Sequence, residues 1–442
     1  MSRQDVIVVG AGIAGLAAAH TLRRGGQSVR ILEASSRVGG RMTTDMLGGM
    51  PVDRGAQFLS SGYRVLSLLA AETGCSSLIH ETSAIGVVVC DGVPRRLRVG
   101  NPVAPLTSGL LGLRDLMTLG RESFRNLNSL ATLELGDYSA WATFDDETVK
   151  TWSDRVLGPS VTDFIFNPML RGFYFQSPEE SSRALAMVLT AFSLRRSNTL
   201  TCEGGIGVIP EKLAGTLDVQ FDTPVLSVDP DGDGVRVTTA SGTVHAGRVI
   251  VAIPAPRALG LLSSKVCFPA EIRLLNTGYS SSINIGCMAG PDFRLPVALR
   301  DVYGILIPSS ESHEIVAIGI ERNKFMKRLP GDAQLFNVML SDACSRRVMV
   351  MPDDEVVKVA LGEVERYLPG LASNVSATMV CRWPLAEPRS PVGRSADLQA
   401  YRKMCLESIP SVLLAGDYMS MPYTEGAAES GVWAAKQVLR VE

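Results

Sequence analysis

The sequence predicts an α/β protein in which a three-layer domain on a parallel sheet carries a second domain built on a mixed sheet with helices. Three observations predict it. A buried-strand pattern at residues 5–9 runs through Gly10, Gly12 and Gly15 into a helical stretch and on to a second strand, which makes one βαβ unit. The 442 residues are 46% hydrophobic, enough for two or three domains that each bury a real core. Stretches with the character of the opening return at 200–253 and at 412–439, with other material between, so the first domain is assembled from three separated pieces.

Taken in order, residues 5–9 are apolar on both faces, as parallel strands are. A helix covers 16–24, Gly25 and Gly26 end it, and a second strand at 28–32 closes on Glu33. A polar, glycine-rich stretch fills 35–49. Residues 63–200 read as mainly helical, for instance at 64–73 and 183–195, and the apolar run 103–119 reads as buried core, with a membrane-facing patch as the alternative. A helix begins at Pro210, and 218–253 alternates in short strands around the turn signal at 229–234. Residues 266–385 mix strands with helices, the latter at 333–347 and 354–367. A last strand at 412–415 and a last helix at 425–439 close the chain. The division expected is 1–62, 200–265 and 405–442 for the first domain, and 63–199 and 266–404 for the second.

The 43 basic and 45 acidic side chains nearly cancel, and a formal charge of −2 gives no electrostatic footprint for nucleic acid or an anionic membrane. The longest near-apolar run, 249–256, falls far short of the roughly 20 residues that span a bilayer. A strand pattern that begins by Asp5 leaves no room for a signal peptide, so a cytoplasmic protein without a transmembrane segment is expected. Eight cysteines, Cys267 among them, never form a CxxC pair, and the four histidines are scattered. No metal-ligand set is expected, and the thiols read as reduced and buried.

Gly10, Gly12 and Gly15 have the spacing that turns a strand tightly into a helix while the backbone approaches a pyrophosphate, whose charge the helix N-terminus then meets. Glu33, at the end of the second strand, is placed to accept both ribose hydroxyls of an adenosine, with Ala34 beside it. A dinucleotide in a Rossmann-like domain follows. The next stretch, 37–41, argues for FAD over NAD, because Gly39, Gly40 and Arg41 let backbone amides and a guanidinium reach the pyrophosphate a second time.

Residues 10–33, 37–41, DRGA at 53–56, EGGI at 203–206, 249–254, AGD at 415–417 and EGA at 425–427 together resemble the flavin-containing amine oxidase superfamily, in order and over essentially the whole chain. Its branches include monoamine and polyamine oxidases, L-amino acid oxidases, protoporphyrinogen oxidases and carotenoid desaturases. The resemblance implies that Arg41 lies near the pyrophosphate and flavin and that Val225 meets adenine through its backbone. It also places Gly416 and Asp417 at the ribityl or pyrophosphate region, and Glu425 and Ala427 beside the isoalloxazine. There, a helix N-terminus stabilises the negative charge of reduced flavin. Trp383 is followed by residues without cysteine, so the FAD is expected to be non-covalent.

Three residues bear on the branch. Tyr423 matches one tyrosine of the aromatic pair that flanks the substrate amine in monoamine oxidases, with a core or cofactor-packing tyrosine as the plain alternative. Trp383 is either another wall of that pocket or a buried aromatic at a domain junction. Asn284 stands where amine oxidases carry a lysine under the flavin, and no lysine lies between Lys265 and Lys324. The reading is an FAD-dependent oxidase or dehydrogenase of a CH–NH bond in a small-molecule amine, reoxidised by oxygen or another acceptor. The alternatives are a C–C or ring desaturase on a larger apolar substrate, like protoporphyrinogen, and a non-catalytic flavin-binding partner protein. The oligomeric state stays open, a homodimer included.

Overall fold

In the computed structural model, residues 4–262, 269–325 and 329–440 are described. Five parallel strands lie side by side in the order Val219–Gln220, Val29–Leu32, Gln4–Val9, Gly242–Val251 and Val412–Leu414. Val6 faces Val29 on one side and Arg248 on the other, and Val249 faces Val412. The long Gly242–Val251 strand divides one edge between two partners. Its first half pairs antiparallel with Gly234–Thr239, and its second half pairs parallel with Val412–Leu414.

The first helix, Ile13–Arg24, crosses the last, Thr424–Leu439, on this sheet. Small residues make the crossing close. A side chain at Gly431 would put its Cβ 2.0 Å from the Ala14 carbonyl oxygen, so only glycine is accommodated there. The apolar core below runs on from the sheet into the helices Val65–Glu72 and Arg183–Leu194.

A second, mixed sheet has the order Val375–Trp383, Ser282–Ala289, Gln334–Leu340, Ile315–Ile320, Val302–Leu306, Ile85–Cys90 and Val93–Arg98. Ile283, Ile285, Phe336 and Val338 pack from it onto Val356, Ala360 and Val364 of the helix Asp353–Val364. The α/β class with a mixed second sheet is the one the sequence predicts.

Three local expectations fail. Residues 333–347 are not one helix: Gln334–Leu340 is a central strand, buried on both faces, and only Asp342–Val348 is helical. A continuous apolar run that short is ambiguous by periodicity, and the helix start is set by Ser341, whose hydroxyl accepts the Cys344 amide at 3.1 Å. Within the expected helical region, Ile85–Cys90 and Val93–Arg98 form a hairpin turned by Asp91 and Gly92 at φ 53° and 71°. That Asp-Gly between two strand-like runs was a legible turn signal. Finally, 103–119 is not buried core, because Val103, Leu106, Leu113 and Met117 are more than half exposed.

The seven described cysteines are free, and all but Cys90 are buried. Cys267 and the expected boundary at 265/266 lie outside the described residues. Among the described residues, no helix is long and apolar enough to cross a membrane.

Candidate active site

At the end of the first strand the chain turns through Gly10, whose φ of 99° suits glycine and whose amide donates to the Leu32 carbonyl at 2.9 Å. A Cβ on Gly15 would lie 2.0 Å from the Gly10 carbonyl oxygen, so the helix can approach the turn only without one. Gly12, by contrast, faces open space. The helix begins there with no side-chain cap and no acidic residue in its first turn, leaving its first amides available to an anion. The second glycine loop packs on the first: the Gly39 amide donates to Ala11 at 2.8 Å, and Gly40, at φ 56°, lies over Gly12.

Glu33 is held at the edge of this turn. Its Oε2 accepts the Ala11 amide at 2.6 Å and its Oε1 accepts the Ser35 amide and hydroxyl at 2.9 and 2.7 Å. A carboxylate has about four acceptor positions, so a fixed Glu33 retains capacity for a hydroxyl. Ala34 beside it is exposed, and half-buried Val225 opens the Val225–Asp231 strand after the Thr223 amide donates to the Glu33 carbonyl at 2.8 Å.

Deeper in, Arg41 Nη1 pairs with Asp417 at 2.6 Å and also donates to the Ala386 carbonyl at 2.5 Å. Burial pushes the guanidinium down, but Asp417, with Tyr279 and Glu387, more than reverses this and holds it charged. Gly416, at φ 136°, donates its amide to the Ser430 hydroxyl at 2.8 Å, which seats the Asp417 turn on the last helix. The carboxylate of Glu425, in the first turn of that helix, accepts amides of Arg64, Val65 and Leu66 at 2.6–2.9 Å. The Glu425 side chain therefore caps the Val65–Glu72 helix, and only its backbone is left to face a cofactor. Ala427 is buried one turn in, its amide bonded to the Tyr423 carbonyl at 2.9 Å.

Tyr423 belongs to an aromatic cluster. Its ring stacks on Tyr63 (centroids 5.6 Å apart, planes within 5°) and leans on Tyr174 at 6.3 Å and Phe192 at 6.0 Å. Its hydroxyl donates to the Leu135 carbonyl. Burial pushes all three phenols up, so they stay neutral. Asn284 and Trp383 converge on one carbonyl: Asn284 Nδ2 and Trp383 Nε1 each donate to the Arg54 carbonyl at 2.8 Å. Sheet register brings them together, since Ser282 lies opposite Trp383 and Asn284 opposite Cys381.

The sequence pattern of the flavin-containing amine oxidoreductases matches residues 13–439. The chain belongs to that family. A Mycobacterium tuberculosis protein, provisionally named flavin-containing monoamine oxidase AofH, is 31% identical over 261 residues, a match that spans 57% of each protein. Protoporphyrinogen oxidase 2 of Arabidopsis thaliana is 22% identical over 99% of this chain and 94% of its own length. The fold superposes on cyclohexylamine oxidase from Brevibacterium oxydans with a TM-score of 0.76 at 18% identity, covering 100% of this chain and 99% of that one.

This oxidoreductase is a flavoprotein, and its residues fit FAD: the open face at Gly12, the uncapped helix start and the doubled glycine loops form a cradle that a Cβ would fill. Sequence reasoning missed Tyr63 and Tyr174, which no spacing links to Tyr423. It also missed Glu387, whose Oε2 is enclosed without a hydrogen-bond partner. Burial pushes the Glu387 carboxyl well up, with Asp417 adding to it and Arg41 and Arg394 opposing. A fully buried Lys324 is present, but on a different element from Asn284, and it binds Asp53 at 2.7 Å.

Proposed function

We propose that this flavoprotein oxidises the CH–NH bond of a small-molecule amine, passing the electrons to oxygen or another acceptor. Non-covalent FAD supplies the hydride acceptor when bound. The observation that carries the reading is the stack of Tyr423 on Tyr63, with Tyr174 against it, immediately before the last helix. Neutral, electron-rich rings suit an amine nitrogen better than they suit an anion. In this reading Tyr423 and Tyr63 orient the amine, Trp383 forms a further wall, and Asn284 holds the Arg54 turn beneath. Glu387 accepts an N–H of the substrate through Oε2. Gly10, Gly12, Gly15, Glu33, Ala34, Gly40, Arg41, Val225, Gly416, Asp417, Glu425 and Ala427 hold the cofactor. Residues 1–62, 200–265 and 405–442 form its domain, and 63–199 with 266–404 the substrate side. The protein works in the cytoplasm.

A second reading, oxidation of C–C or ring bonds in a larger apolar donor, is favoured by Asn284 at the expected lysine position and by the full-length likeness to a protoporphyrinogen oxidase. Anaerobic mixing of the holoprotein with primary and secondary amines, amino acids and protoporphyrinogen separates the two. Bleaching of the flavin band by an amine supports the first reading. Bleaching only by the tetrapyrrole sinks it.

A further inference from the structure

Among the described residues Lys324 is the one lysine that is fully buried. It ends the helical turn Glu321–Lys324, which follows the central strand Ile315–Ile320 of the second sheet. Its Nζ lies 2.7 Å from Asp53 Oδ2 and 3.3 Å from Glu321 Oε2, and all three side chains are at most 1% exposed. An ion pair sealed from water repays its desolvation poorly, and apolar side chains of the same volume often match it in stability. Stability alone therefore accounts poorly for Lys324. What it fixes is the arrangement around Asp53.

Asp53 ties distant parts of the chain together. Its Oδ1 accepts the Thr44 hydroxyl at 2.7 Å and the Ile206 amide at 3.0 Å. Its carbonyl accepts Gln57 Nε2 at 2.9 Å and Asn337 Nδ2 at 3.2 Å. Asn337 and Lys324 both come from the second sheet, which is bare where this segment lies on it. Gly286, Asn337, Gly319 and Gly304 stand in one row across four strands, and a Cβ on Gly286 would lie 3.2 Å from Val52.

After Asp53 the chain turns through 54–56 along the end of the second glycine loop. The Arg54 amide donates to the Thr43 carbonyl at 2.9 Å and the Ala56 amide to the Arg41 carbonyl at 3.0 Å. A Cβ on Gly55 would lie 2.3 Å from that Arg41 oxygen, so here too backbone rests on backbone. The Arg54 carbonyl is the acceptor that Asn284 and Trp383 share. A displaced Asp53 would thus move Arg41 through the backbone, and Asn284 and Trp383 through their common partner. We propose that Lys324 is a positioning residue of the flavin site: anchored in the second sheet, it holds Asp53 and so sets the 54–56 turn against Arg41, Asn284 and Trp383. The inference rests on the cofactor seat given under the proposed function and is indifferent to the donor oxidised.

The test compares Asp53→Asn, Glu321→Gln and a charge-free variant, Lys324→Met with Asp53→Asn and Glu321→Gln, each purified with FAD. Asp53→Asn is isosteric, can keep the Thr44, Ile206, Gln57 and Asn337 contacts, and leaves Glu321 facing Lys324. The shape of the visible circular dichroism of its bound flavin should change, and its dissociation constant for FAD should rise roughly tenfold, the size of one displaced hydrogen bond. The charge-free variant strands no buried charge, so it should melt close to wild type while showing the same altered dichroism. Glu321→Gln leaves the Lys324–Asp53 pair intact and should keep the wild-type spectrum. Wild-type dichroism and FAD affinity in Asp53→Asn overturn the proposal whether or not the charge-free variant folds. So does a change in Glu321→Gln as large as that in Asp53→Asn. Every readout is taken without a donor, so the choice between amine and tetrapyrrole does not enter, whereas a wild type that binds no FAD would sink the cofactor seat itself.

Discussion

The cofactor cradle and the aromatic cluster lie close together, yet they are built in opposite ways. In the cradle, backbone meets backbone: Gly15 against Gly10, Gly39 against Ala11, Gly431 against Ala14. In the aromatic cluster, side chains meet that the sequence scatters, Tyr63, Tyr174, Phe192 and Tyr423 coming from four separate stretches. A backbone contact tolerates only one residue type and fixes it at a set spacing. A side-chain contact tolerates several types and fixes none.

The contrast is broken or sharpened by substitution. The largest effect is expected at Gly15→Val, where the new Cβ meets a carbonyl oxygen at 2.0 Å. Flavin content after purification should fall to near zero, and a yellow variant would show that the turn yields. Next comes the Arg41–Asp417 pair. Removing either partner strands a buried charge and should cost about 3–5 kcal/mol, while the double alanine variant should cost less than the two singles together. Thermal melts of the three variants give the coupling.

Glu387 sharpens the comparison on the side-chain side. Its folded-state pKa is raised above the ordinary 4.5, so the folded protein binds the proton more tightly than the unfolded chain. Stability is then highest below pH 4.5 as far as this group is concerned and declines as pH rises from there toward the folded value. Glu387→Gln should flatten that decline and raise the melting temperature at alkaline pH. An unchanged pH profile would show that the carboxyl is solvated. Glu425→Ala, which uncaps a helix start, should cost about 1–2 kcal/mol in a denaturant melt. Phe124→Ser, at an exposed position, should stay within about 0.5 kcal/mol of wild type in solution.

The same contrast explains how much was legible. The βαβ opening, Glu33, the 37–41 loop and the Asp417 turn were readable because each imposes small or charged residues at short fixed distances. Glu387 was not: it stands in a proline-rich stretch whose sequence suggests only a loop, and its enclosure depends on Arg41 and Asp417 from both ends of the chain. Tyr423 was singled out, but its partners Tyr63 and Tyr174 were not, since an aromatic residue in an apolar context signals core wherever it falls. The strand Gln334–Leu340 was misread because burial on both faces erases the alternation that marks a strand. For the 103–119 run, composition alone does not separate buried core from an outward-facing patch, and there Val103, Leu106, Leu113 and Met117 face outward.

The crossing of the first and last helices at Ala14 and Gly431 also sets a timetable for synthesis. The glycine turn is made long before the helix packed against it and the strand Val412–Leu414 beside Gly242–Val251. Until they emerge, half of one edge of the parallel sheet stays unpaired, and an unpaired edge is where a growing chain associates with the wrong partner. Loading with flavin therefore belongs after the helix Thr424–Leu439 has been made, and a chain stopped before that helix carries the whole glycine motif without being able to close it.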